Sequence, residues 1–428
     1  MSNTNAHKPG YKQTPIGWIP EEWEVKELKM LGAFSKGRGI SKEELVDIGI
    51  PCIRYGEIYT THDYVIKEFK SFINEDTAIE SKRINKGDIL FAGSGETIEE
   101  IGKCVAYNFD DEAYAGGDII VLTVNRDIDA VYLAYTLEID GVNRQKRILG
   151  QGNSVVHIYS RDLAKILVPL ATKAERNKIA VILSTWDEAI QKTQQLIAQL
   201  KKRNKGLTQK LLTPKPYWKE KKLSQIFERV SRRNTTGNTN VVTISAQRGF
   251  VRQNDFFSKI VASDTLDNYF LVRNGEYCYN KSYSKGYDWG ATKRLNDFAE
   301  AVVTTLYICF ALKDIEHNSG DFFEYFFDAN SLDKGLSKIA HEGGRAHGLL
   351  NVTPSDFFSL NLQVPDLNEQ NRIYKILSIA KTELTALEQK LSALQQQKKG
   401  LMQKLLMGEV RVKVKMNQYE NTNVRRSS

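Results

Sequence analysis

Hydrophobic residues in two stretches of this chain recur at intervals that alternate between four and three. The first stretch runs Ile179, Leu183, Trp186, Ile190, Thr193, Ile197, Leu200, Asn204, Leu207, Leu211. The second runs Ile373, Leu377, Ala380, Leu384, Leu387, Leu391, Leu394, Lys398, Leu401, Leu405. This spacing is the a/d seam of a heptad helix. Each position of the second seam lies 194 residues after its counterpart in the first, so the seams are in register. The intervening Gln, Lys, Arg, Glu and Ala favour helix and leave the other faces wet. Roughly 35 residues at a rise of about 1.5 Å each predict a rod of about 50 Å. So long a helix with so narrow a stripe needs a partner. Either each helix lies on its own domain, or the two pair as a coiled coil, and the matching seams favour pairing. Asn204 and Lys398 are polar seam residues at equivalent positions, a device that fixes register or orientation. Antiparallel pairing would place them towards opposite ends of the rod. It would also send two globular halves to opposite ends, related by a pseudo-two-fold axis.

The repeat extends beyond the seams. Lys205-Gly206-Leu207-Thr208-Gln209-Lys210-Leu211-Leu212 returns as Lys399-Gly400-Leu401-Met402-Gln403-Lys404-Leu405-Leu406. Glu175 maps onto Glu369, Trp218 falls near the counterpart of Trp23, and Arg38 maps onto Arg232. The period is too long for a solenoid and implies two similar halves. Before each helix, β-rich runs recur: 50–53, 89–91 and 119–124, then 241–244, 277–279 and 302–310. Short helices are predicted near 130–140 and 320–330. The fold class is therefore α+β: two mixed α/β domains with curved, mostly antiparallel sheets, separated by an antiparallel two-helix coiled coil with a pseudo-two-fold internal repeat. The predicted organisation is a flexible N-terminus (1–14), a first domain (15–170), a central spacer helix (171–213), a second domain (214–365), a C-terminal spacer helix (366–413) and a flexible tail (414–428).

The formal net charge of +8 favours a polyanionic partner. Basic, aromatic and amide side chains crowd loops in both halves. The candidates for contact with DNA are Lys36, Arg38, Arg54, Tyr55, Gln151, Asn153 and His157 in the first half. In the second half they are Arg232, Arg233, Gln247, Arg248, Lys281, Tyr283, Lys285, Tyr287, Arg345 and His347. Lys and Arg neutralise phosphates, and Arg, Asn and Gln make paired hydrogen bonds to base edges. Taken singly, each is better explained as a solvated surface charge; the recurrence of clusters in both halves moves the balance towards a nucleic-acid surface.

Catalytic signatures fail. Phe91-Ala92-Gly93-Ser94-Gly95 has the FxGxG form of an S-adenosylmethionine loop, but no Asn/Asp-Pro-Pro-aromatic motif accompanies it. Gly95 to Gly102-Lys103-Cys104 lacks the spacing and hydroxyl of a phosphate-binding loop. Pro365-Asp366 and Glu369 lack the lysine of a PD-(D/E)xK nuclease. The six histidines have no metal-ligand spacing, and the four dispersed cysteines fit buried thiols in a reducing compartment. No apolar run approaches a membrane span. The expectation is a cytoplasmic protein with no cofactor or metal of its own.

The whole chain resembles a specificity subunit of a type I restriction–modification system. The resemblance rests on Gly17-Trp18-Ile19-Pro20-Glu21-Glu22-Trp23, Lys86-Gly87-Asp88-Ile89-Leu90, Val364-Pro365 with Glu369-Gln370, and the two Gly-Leu-X-Gln-Lys-Leu-Leu helix ends. The first copy departs from the pattern, with Ala174-Glu175-Arg176 at its helix start. The resemblance implies a chain without catalysis of its own. Each half would read one part of a split, asymmetric target in double-stranded DNA. The paired helices would act as spacer and dock two adenine-N6 modification subunits that bind S-adenosylmethionine. Two restriction subunits, using ATP and Mg, can join such assemblies. A non-catalytic adaptor that binds no DNA is the main alternative; a fused methyltransferase-specificity enzyme is a second, against which the missing motifs argue.

Overall fold

The computed structural model describes residues 8–152, 155–253, 266–340 and 350–414. Contacts divide the chain into two units: Met1–Gln194 with Lys390–Ser428, and Gln195–Gln389. The first unit is thus assembled from both ends of the chain, and each long helix is divided between the units.

The first unit is built on two five-stranded sheets. One orders its strands Gly32–Lys36, Ile119–Val124, Asp88–Ala92, Cys104–Ala106, Tyr64–Val65; the other orders Leu45–Val46, Ser71–Ile73, Ile50–Ile53, Ala113–Ala115, Lys82–Ile84. Each is antiparallel except for one parallel pair. The period-2 geometry of a strand explains the unbroken apolar runs. From Asp88–Ala92 and Ile119–Val124, the side chains of Leu90, Ala92, Ile119 and Val121 pack with Ile53, Ile84 and Ala115 of the second sheet. Their neighbours Ile89, Phe91, Ile120 and Leu122 pack on the opposite face with Tyr132, Leu133 and Leu183. Both faces are covered, so no polar alternation survives.

The second unit centres on an antiparallel four-stranded sheet ordered Phe227–Val230, Ile308–Leu312, Tyr277–Asn280, Ala291–Arg294. The helix Gly320–Asp328 presents Phe322, Phe323, Phe326 and Phe327 to it. Phe227 meets Phe310 edge-on at 5.1 Å between ring centroids, a favoured aromatic geometry. The run expected over 302–310 is two strands, Glu300–Val303 and Ile308–Leu312, which belong to different sheets. Residues 304–307 turn between them, with Tyr307 N–H donating to Thr304 O.

The long helices span Lys173–Leu212 and Leu367–Leu406. In the first unit Ile179, Ala180 and Leu183 of the central helix share a core with Met402, Leu405 and Leu406 of the C-terminal helix. In the second unit Leu207, Leu211 and Leu212 pack with Ile373 and Leu377. The start of one helix therefore meets the end of the other in each unit, so the helices pair antiparallel. All twenty seam positions named above are buried or half-buried.

The two polar seam residues find different partners. Asn204 donates to Ala380 O at 2.9 Å in the second unit. Lys398, 4% exposed, donates to Asp187 Oδ1 at 2.6 Å in the first. Burial drives the Lys398 pKa down while the Asp187 carboxylate pulls it up. The Lys398 ammonium also lies 3.6 Å from the centroid of Tyr64, and the Tyr135 hydroxyl donates to Asp187 Oδ2 at 2.5 Å.

A second repeated device starts each helix. Thr172 and Asp366 cap the backbone N–H groups of Glu175 and Glu369. Those glutamates accept from the indoles of Trp23 (2.9 Å) and Trp218 (3.2 Å). Glu175 also holds Arg411 at 2.7 Å, and Glu369 holds Lys215. Gln at either position keeps an acceptor for the indole and loses the charge. Glu175→Gln is expected to cost about 1–2 kcal/mol, because Glu175 is buried. Glu369→Gln, half-buried, should cost less than about 1 kcal/mol. Equal losses in chemical denaturation would refute this ranking.

The N-terminus differs from the flexible segment expected through residue 14. Tyr11–Thr14 pairs with Gly17–Pro20, and the Tyr11 hydroxyl donates to Gly408 O at 2.8 Å. Gly408 closes the C-terminal helix at φ +69°, pressed against Pro20 and Trp23, where only glycine fits.

Candidate nucleic-acid interface

In the first unit the loop after strand Gly32–Lys36 is pinned to the sheet. Gly37 N–H donates to Ile119 O at 2.7 Å and Arg38 N–H to Ala115 O at 3.2 Å. A Cβ on Gly37 would be driven into the Gly116 carbonyl. Gly116 N–H in turn donates to Ile53 O at 3.0 Å, which brings Arg54 and Tyr55 alongside. Lys36 lines a cleft of about 140 Å³ with Ser35, Ser94, Asp118, His157 and Tyr159. His157 Nδ1 lies 3.0 Å from Ser94 Oγ, and His157 exchanges two backbone hydrogen bonds with Gln151. The Tyr59 hydroxyl donates to Ser94 O at 2.9 Å, and burial raises its pKa, so it remains a donor. Lys36, Arg38, Tyr55, Gln151 and His157 are exposed and Arg54 is half-buried. Among the described residues the side chains of Lys36, Arg38 and Arg54 are in no ion pair or hydrogen bond, and their charges are open to a ligand. Asn153 lies outside the described residues.

In the second unit Gln247 Nε2 donates to Lys285 O at 3.1 Å, joining the turn at Gln247-Arg248 to the loop Lys281–Tyr287. Between them lies a cleft of about 310 Å³ lined by Thr243, Ser245, Gln247, Asn280, Ser282, Ser284 and Tyr307 among others. Its wall sets hydroxyls and amides beside Ile244, Ala246 and Leu306, with no charged side chain, and Arg248, Tyr283 and Lys285 are exposed beside it. Lys281 is half-buried. Tyr287 is turned inward, accepting from Lys293 Nζ at 3.2 Å.

Two expected contacts are committed elsewhere. Arg232 makes a two-pronged pair with Glu276, at 3.1 and 3.3 Å, and donates to Leu271 O at 3.0 Å. Arg233 donates to Asn268 O and lies over the Phe270 ring. Both guanidiniums brace this unit, so Arg232 and its counterpart Arg38 have opposite surroundings. Arg345 and His347 lie outside the described residues.

A family described as the type I restriction modification DNA specificity domain matches the chain twice, over residues 20–202 and 217–396. The chain belongs to this family. Each match takes in one β-rich half and most of the long helix that follows it, so the repeat is a repeat of specificity domains. The specificity subunit is 26% identical to a protein of Methanocaldococcus jannaschii provisionally named as the MjaX type I restriction enzyme specificity subunit, over 94% of this chain and 97% of the relative. It is 26% identical to the MjaVIII type I restriction enzyme specificity subunit of the same organism, over 49% of each chain. Its fold is similar to that of the type I restriction–modification S subunit from M. genitalium, with a TM-score of 0.55 at 16% identity, covering 90% of this chain and 96% of the other. A chain from a structure describing complex assembly and conformational transition of the type I R-M system matches with a TM-score of 0.55 at 16% identity, covering 92% and 99%.

Several residues around the specificity subunit's clefts carry no signal in the sequence. Ser94 and Asp118 reach the first cleft only through strand pairing, and Thr243, Ser282 and Tyr307 converge from three separate segments. Gly93 and Ser94, from the FxGxG segment that lacks its accompanying catalytic motif, form part of the first cleft wall. Among the described residues no group of three or more His, Cys, Asp or Glu is placed to hold a metal, and no helix is long and apolar enough to cross a membrane.

Proposed function

We propose that this specificity subunit reads a two-part, asymmetric DNA target, one part with each unit, and holds two modification subunits on its paired helices. The observation that carries this reading is the contrast between the two clefts. Both specificity domains present exposed cations beside a polar cleft. The first cleft has charged residues in its wall (Lys36, Asp118), whereas the second is lined by uncharged side chains. Cations that touch phosphates set position, and the cleft walls distinguish base edges. Unlike walls fit unlike half-sites. The repeated helices offer similar outer faces, which suits two copies of one partner. Methyl transfer to adenine N6 belongs to those partners, with S-adenosylmethionine as donor. Where restriction subunits join, ATP and Mg serve them.

The test is single-molecule methylome sequencing of a host that expresses this chain with its modification partner. A motif of two unlike half-sites separated by a fixed nonspecific gap is expected. A single continuous or palindromic motif would overturn the reading.

A further inference from the structure

Asp118 is chemically out of place on a surface that meets a polyanion. It is exposed, in the same cleft as Lys36, Ser94 and His157, and among the described residues its carboxylate has no hydrogen bond or ion pair. A carboxylate close to phosphates is repelled, and one pressed against DNA loses water that only a donor replaces. Base edges supply such a donor in their exocyclic amino groups. Asp accepts from cytosine N4, and Lys donates to guanine O6 and N7. A C·G pair presents both features side by side in the major groove.

The backbone holds the two side chains for that task. Lys36 pairs with Ile120 across the sheet, and Gly37 N–H donates to Ile119 O at 2.7 Å. Asp118 O accepts from Gly93 N–H at 2.9 Å. Acceptor and donor therefore rise from adjacent strand ends fixed by hydrogen bonds on both sides.

We propose that Asp118 and Lys36 together read one C·G base pair in the half-site of the first unit. The carboxylate accepts from the cytosine N4 amino group, and the ammonium donates to O6 and N7 of the paired guanine. The inference rests on the DNA-reading role proposed above. An A·T pair also offers an amino donor, but its thymine places a methyl group beside the acceptor that Lys36 would seek.

The experiment uses the full chain with its modification partner, as wild type, Asp118→Ala, Asp118→Asn and Lys36→Ala, each read by methylome sequencing. The wild-type motif is expected to contain an invariant C·G pair in one half-site. Asp118→Ala and Lys36→Ala should relax that same pair, with discrimination falling roughly tenfold to a hundredfold. Asp118→Asn should shift it towards A·T, because Asn matches adenine N6 and N7. The other half-site should keep its sequence in every variant, which reports an intact complex. An unchanged motif in Asp118→Asn would overturn the proposal, as would relaxation at different positions by the Asp118 and Lys36 variants. Absence of sequence-specific methylation with the wild-type chain would instead overturn the DNA-reading role itself.

Discussion

Replacing Lys398 with methionine is expected to destabilise the first unit by about 3–5 kcal/mol. The change removes one member of a buried pair and leaves the Asp187 carboxylate, 7% exposed, with the Tyr135 hydroxyl as its remaining hydrogen-bond donor among the described residues. It also withdraws a cation from the face of Tyr64. The expected size comes chiefly from stranding a charge, since an intact buried pair adds little by itself. Two comparisons separate these causes. Asn204→Ala, at the equivalent seam position, removes one neutral hydrogen bond across the helix pair and an exposed contact with Arg203, strands no charge, and should cost only about 1 kcal/mol. The double variant Asp187→Leu with Lys398→Met removes both charges and should recover most of the loss. Hydrogen exchange read over Ala130–Thr136 and the start of the central helix reports the first unit; the sheet strand Tyr277–Asn280 reports the second. A single-variant cost below about 1 kcal/mol, or failure of the double variant to recover, would contradict the account.

Gly37→Val should abolish reading by the first unit while the second stays folded. Strand pairing leaves no space for a side chain at this position, because the Gly116 carbonyl occupies it. The loop must move, and with it Lys36 and Arg38. Overpacking of this kind typically costs about 1–3 kcal/mol, and at the upper end this corresponds to a loss of roughly two orders of magnitude in specific binding. Titration of the complete modification complex with cognate duplex and with a duplex scrambled in one half-site measures it. The variant should no longer distinguish scrambling of the half-site read by the first unit. Retained discrimination there would show that the loop does not read DNA.

The long helices were legible because ten consecutive seam positions obey one period, and few alternatives produce such a run. The sheets were partly legible. Ile119–Val124 reads as a strand, but the apolar stretch from Val302 to Phe310 conceals a turn at Thr304–Tyr307, because hydrophobicity alone does not report a change of sheet. The candidate interface was the least legible. Arg38 and Arg232 occupy the same place in the repeat, yet Arg232 is claimed by Glu276, 44 residues away. Lys398 stood out as a polar seam residue, but its partner Asp187 is 211 residues distant and not a seam position. Asp118 acquires meaning only when Gly32–Lys36 pairs with Ile119–Val124. Each of these outcomes depends on contacts distant in sequence, which local pattern does not encode.

The two-segment makeup of the first unit has a consequence for how the protein is born. All of the second unit, Gln195–Gln389, leaves the ribosome before residues 390–408 do. Until then Ile179 and Leu183 lack Met402 and Leu405, Asp187 lacks its lysine, and Trp23 and Tyr11 lack the turn at Gly408. The half made first is therefore completed last. A nascent chain that stalls or is cut near residue 390 keeps the residues of the second unit and leaves Ile179, Leu183 and Asp187 of the first without Met402, Leu405 and Lys398. Such a product would expose the apolar side of its central helix, which would mark it for aggregation or proteolysis.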